Sequence, residues 1–159
     1  MKIRVHSHEG AATLHPRRHQ SNTAAMIRMT TMPSFVPLVF PSTYQHVLEL
    51  RFADVSQESF DRISKTEHDL IAEQLKAGHA MWPMTRNHAQ QIVKFLREIK
   101  DNVDLLVVHC DAGISRSSAV AIAAAEMYGL DEEQRRLENN RRFNPNEYVY
   151  SLIFDEWNR

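Results

Sequence analysis

Leu105-Leu106-Val107-Val108-His109-Cys110-Asp111-Ala112-Gly113-Ile114-Ser115-Arg116-Ser117-Ser118, running into Ala119-Val120-Ala121-Ile122-Ala123, is the stretch from which the architecture is read. Leu105 to Val108 is a short, continuous apolar run with β-branched residues, the pattern of a strand buried on both faces. Ser117 or Ser118 can cap a helix whose first turns are almost all small or aliphatic. The loop between them holds the chain's one cysteine, Cys110, with Arg116 six positions later.

Strand, loop and helix N-terminus together make an anion-binding geometry. The first amides of a helix lack an internal partner, and the helix dipole adds partial positive charge there. Gly113 supplies the freedom for loop amides to turn inward, and Arg116 adds a planar fork that holds two oxygens at once. A thiol in that concavity has its pKa lowered toward neutrality. The expected result is a nucleophile, Cys110, aimed at a bound tetrahedral oxyanion.

Cys110, five residues, then Arg116, with His109 before, Gly113 inside and Ser117 after, resembles the signature of the cysteine-dependent protein tyrosine phosphatases in their dual-specificity-like form. The resemblance implies an α/β, phosphatase-like fold and a phosphocysteine intermediate at Cys110. It implies phosphate held by Arg116 and the loop His109, Asp111, Ala112, Gly113, Ile114 and Ser115, with no metal and no cofactor. It also implies that His109 orients the loop and that Ser117 helps the thiolate leave phosphocysteine. Asp111 is unfavourable beside a bound anion, so its side chain is expected to point outward. The substrate implied is a phosphate monoester, with phosphotyrosine or another phosphoprotein ester foremost. The alternative is a non-catalytic module that binds phospho-residues with the same loop. Low-molecular-weight phosphatases and arsenate reductases share the Cys-to-Arg spacing, but their loop follows the first strand. Rhodanese-like sulfurtransferases carry a similar cysteine loop, but His109 before and Ser117 after the signature favour the phosphatase.

Outward from this stretch, strands and helices alternate. Ile3 and Val5 alternate with Lys2 and Arg4 in a short first strand, and Leu48, Leu50 and Phe52 lie on one face of another. Ser21 is placed to cap a helix through Ala24, Ala25, Met26 and Met29. Phe35 to Phe40, broken by Pro37, suits an edge strand or an extended segment. Residues 56 to 78 read as helical, with Thr66 and Asp69 as a capping box and Leu70, Ile71 and Leu75 as the buried stripe. Thr85 caps a helix whose stripe is Ala89, Ile92, Val93, Leu96 and Ile99. After the signature helix, Asp131 with Gln134 opens a short helix, and Asn144-Pro145-Asn146-Glu147 opens a last one facing inward through Val149, Leu152, Ile153 and Trp157. This alternation predicts an α/β domain over residues 1–159, with a mainly parallel central sheet covered by helices on both faces.

A formal net charge of −1 gives no reason to expect nucleic acid or a membrane surface as a partner. No apolar run approaches membrane-spanning length, and one cysteine fits a reducing compartment, so a cytoplasmic location is expected. His6, His8, His15 and His19 are irregularly spaced and read as surface residues rather than a metal site.

A thiolate and an arginine supply no proton to a leaving oxygen, so a general acid is needed. In the family resembled, an aspartate on a loop after a strand takes that part, and Asp54 follows Phe52 where a strand ends. Asp61 and Asp69 are rivals. Trp82-Pro83-Met84 resembles a family Trp-Pro-Asp, with methionine in the acid's place.

Overall fold

Four parallel strands form the sheet of the computed structural model, which describes residues 1–159. They are β1 (Lys2–Ser7), β2 (Ala24–Thr30), β3 (His46–Arg51) and β4 (Leu105–Cys110), in the spatial order β1-β4-β2-β3. The inner strands β2 and β4 are buried at every position, as strands covered on both faces must be. Edge strand β3 keeps the two-residue alternation, with Leu50 buried and Val47 exposed.

The helices are α1 (His8–Thr13), α2 (Gln57–Thr66), α3 (His68–Lys76), α4 (Arg86–Ile99), α5 (Arg116–Met127), α6 (Asp131–Glu138) and α7 (Glu147–Trp157). Ala25, Ile27, Met29, Leu106 and Val108 form one sheet face, packed with buried residues of α4, α5 and α7. Ala24, Met26, Leu105 and Val107 form the other, covered by Ala11 and Leu14 of the α1 region and by Tyr44. The fold is therefore α/β, a parallel sheet flanked on both faces. No helix is long and apolar enough to cross a membrane.

Sheet order positions the loop. β1 and β4 are neighbours, with Ser7 in register with Cys110, yet α1 leaves β1 toward one face and α5 leaves β4 toward the other. Adjacent strands whose connections diverge open a crevice at their carboxyl ends, and the signature loop rises from it.

Several expectations need correction. Ser21 caps no helix: residues 24–30 are β2, bonded to β3 and β4. Alanine and methionine favour helix, but two flanking strands override that preference, and burial on both faces erases the alternation that marks a strand. Of the two readings of Phe35 to Phe40, an edge strand or an extended segment, the strand does not form. Residues 56–78 form two helices that part at Glu67, and Thr66 ends the first instead of capping the second. Ser56 caps α2 by accepting from the Ser59 amide at 3.0 Å. Of the expected stripe in α3 only Ile71 is buried, while Leu70 and Leu75 are exposed. Asn146 caps α7, two residues after the expected Asn144, and α6 starts after Leu130 with no side-chain cap. Thr85 does cap α4, reciprocally with His88, and its five-residue stripe is buried throughout.

Candidate active site

Cys110 ends β4 and Arg116 opens α5, leaving five residues to make the turn. Gly113 sits at φ +73°, and a Cβ there would lie 2.7 Å from the carbonyl carbon of His6. Only glycine fits a left-handed turn pressed so closely on a neighbouring strand. Ser115, the residue before α5, makes no side-chain cap bond, so the first amides of the helix stay free of one.

Neither Ser117 nor Ser118 caps the helix as expected, because both lie inside it. Ser118 Oγ donates back to the Ile114 carbonyl at 2.6 Å, tying loop to helix. Ser117 Oγ lies 3.1 Å from Cys110 Sγ. Burial of the thiol opposes ionisation most strongly. The Ser117 hydroxyl and amide, the Arg116 charge and the Gly113 amide together outweigh it, and the Cys110 pKa falls below its ordinary value.

Arg116 is 4% exposed and held on two sides. Its Nη1 donates to the Phe52 carbonyl at 2.6 Å and to Thr31 Oγ1 at 3.0 Å. Its Nη2 donates to Asp111 Oδ2 at 2.8 Å. Nε is buried with no partner. Buried donors are rarely left unpaired, and an anion in the loop would satisfy this one.

The expectation that Asp111 points outward is wrong. Its carboxylate faces Arg116 and also accepts from the Thr30 hydroxyl and, at 3.2 Å, from the Thr31 amide. Burial raises its pKa, but these donors and the Arg116 charge prevail, so it stays below the ordinary value. A carboxylate with four donors' worth of lone pairs is satisfied best where donors converge.

His109 lies on the opposite sheet face from Cys110. It is fully buried, stacked on His8 at 4.9 Å, and its Nε2 accepts from Arg28 Nε at 3.0 Å. Burial, the Arg28 charge and His8 push its pKa down to about 3, so the ring is neutral. Arg28 also donates to Glu49 Oε2 at 3.1 Å and lies over the Phe35 ring. His8 takes a 3.0 Å bond from the Val36 amide. Ala112 and Ile114 are exposed at the loop's rim.

Asp54 meets this loop from the other side. Its Oδ1 accepts from Ser115 Oγ and from Asn146 Nδ2, both at 2.8 Å. It lines a cleft of about 500 Å³ with Ser115, Asn146, Ser59, Arg62 and Tyr148. Asp61 accepts from Gln57 within α2, and Asp69 stands exposed beside His68 on α3. Met84 is fully buried in the core, while Trp82 is 41% exposed and its carbonyl takes the Ala53 amide.

Reading the sequence missed Arg28, Thr30, Thr31, His8 and Asn146 as neighbours of the site. Arg28 carries the one available signal, a charged residue inside an otherwise apolar run. The four N-terminal histidines do not converge: His6 faces His19, His8 stacks on His109, and His15 packs on Phe40.

No protein-family model matches this sequence, and no curated protein matches it. Among solved structures the chain is similar to a crystal structure of human DUSP28, with a TM-score of 0.48 and 16% identity over 98% of this chain and 91% of that one.

Proposed function

We propose that this protein is a cysteine-dependent phosphatase that hydrolyses phosphate monoesters, foremost phosphotyrosine in proteins, through a phosphocysteine intermediate. One observation carries the reading: a buried thiol of lowered pKa shares a tight loop with a buried guanidinium whose Nε has no partner.

The Cys110 thiolate attacks phosphorus while Arg116 and the loop amides hold the equatorial oxygens. The phosphorus–oxygen ester bond breaks, and Asp54 gives its proton to the leaving oxygen. Water then attacks phosphorus, Asp54 takes its proton back, and the sulfur departs as thiolate, stabilised by the Ser117 hydroxyl. Asp111 is a positioning residue that holds the guanidinium in place. The thiol is only 2% exposed, so the phosphate must enter the loop to reach it. A thiolate enzyme of this kind fits a reducing compartment such as the cytoplasm.

Hydrolysis of p-nitrophenyl phosphate tests the reading. Turnover inhibited by vanadate is expected, and Cys110→Ser should abolish it while inorganic phosphate still binds. Retained turnover in the serine variant overturns the covalent step. Phosphate binding without turnover in the native chain makes the protein a phospho-residue binder instead.

A further inference from the structure

A second polar cavity lies beside the signature loop. It has a volume of about 160 Å³ and is lined by Gly113 together with Arg4, His6, His19, Arg136 and Arg142. That is the liquid volume of about five waters, room for one small tetrahedral oxyanion.

Its charge is one-sided. Glu133 Oε2 accepts from Arg4 at 3.0 Å and from Arg136 at 2.8 Å, so one carboxylate is shared by two guanidiniums. Arg142 adds a further charge, and its guanidinium bonds to no other group of the chain. His6 Nε2 and His19 Nε2 face each other at 3.2 Å, one donating to the other. The cations that act on this pair are Lys2, Arg4, Arg18 and Arg136, and Glu133, which bridges Arg4 and Arg136, is the one carboxylate among them. Two facing imidazoles resemble half of a metal site, but these cations repel a metal ion, and no third ligating side chain joins the pair. The same charges attract an anion, and either ring can swing a donor toward one.

We infer that this cavity is a second oxyanion site, built for a phosphate group and placed next to the loop that holds Cys110. His6, which lines the cavity, has its backbone pressed against Gly113. Binding here does not require turnover at Cys110, so the two readings stand or fall separately.

Inorganic phosphate, titrated at constant ionic strength while histidine ring signals are followed by NMR, tests the site. His6 and His19 signals should shift saturably, and Arg142→Gln should weaken that binding about ten-fold, the cost of one charge-assisted contact. Rings that do not move as the loop amides saturate, or a midpoint unchanged by Arg142→Gln, overturn the site. Peptides separate its two natural ligands. If Arg142→Gln weakens a doubly phosphorylated peptide and spares a singly phosphorylated one, the cavity reads a second phosphate of the substrate. If both peptides bind as before while the ring response to phosphate is lost, it takes the free ion.

Discussion

Asp111 lies in the loop that Asp54 meets from outside, and their partners differ. Asp111 spends its lone pairs on Arg116, Thr30 and Thr31, which holds it ionised. Asp54 accepts two bonds from neutral groups at Oδ1 and is otherwise exposed. Asp54→Asn should therefore slow hydrolysis of phosphotyrosine by about a hundred-fold or more, and slow p-nitrophenyl phosphate much less, because its leaving group needs no proton. Equal losses on both esters would remove Asp54 from proton transfer. Cys110 itself should be alkylated by iodoacetate with a pH midpoint below that of a free cysteine, the direction set by Ser117, Arg116 and the Gly113 amide against burial. A midpoint at the ordinary thiol value would contradict an activated nucleophile. The candidates Cys110, Arg116 and Ser117 could be named from their spacing in one short stretch, and Asp54 from the family resembled. The Arg28 bond to His109 across 81 positions was not legible, since it exists only once strands have chosen their neighbours, and the Arg116 pairing with Asp111 depends on how the loop between them turns.

Elements with a one-sided apolar stripe could be read directly. α4 declared its buried face and its Thr85 cap, and β3 its alternating faces. β2 could not, since a strand buried on both faces has no polar side to reveal its period. Ser117, an expected cap, lies inside α5 with its hydroxyl on Cys110 instead. The loop depends most on Gly113. Gly113→Ala forces a side chain into φ +73° and against the His6 backbone. The positive φ alone costs about 1–2 kcal/mol. A fall in the urea midpoint together with loss of phosphate binding is expected, and a variant of native stability and affinity would show that the turn is not needed in this form.

Across the whole molecule, buried and half-buried histidines tie stability to pH. Burial, Arg28 and His8 hold His109 down to about 3, and burial, His19 and Arg4 hold His6 down to about 4. Both take up protons more readily when unfolded, where the pKa is about 6.5. Their contribution is complete above that pH and is lost as pH falls toward 4 and 3, at up to about 1.4 kcal/mol per unit for His109. Melting temperature should decline from pH 7 to pH 5, with a shallower slope in His109→Gln; an unchanged slope would assign the effect to other groups. The order β1-β4-β2-β3 has a consequence for synthesis. β1 and β2 are made first but do not touch; each pairs with β4, whose Leu105 aligns with Lys2 and Ala24. Until residues 105–110 emerge, the nascent chain carries two unpaired inner edges, and closing them spans about a hundred residues of chain, a slow search that favours edge-to-edge aggregation. The strand that ends in Cys110 is also the keystone of the sheet, so no partly made chain can hold the candidate site.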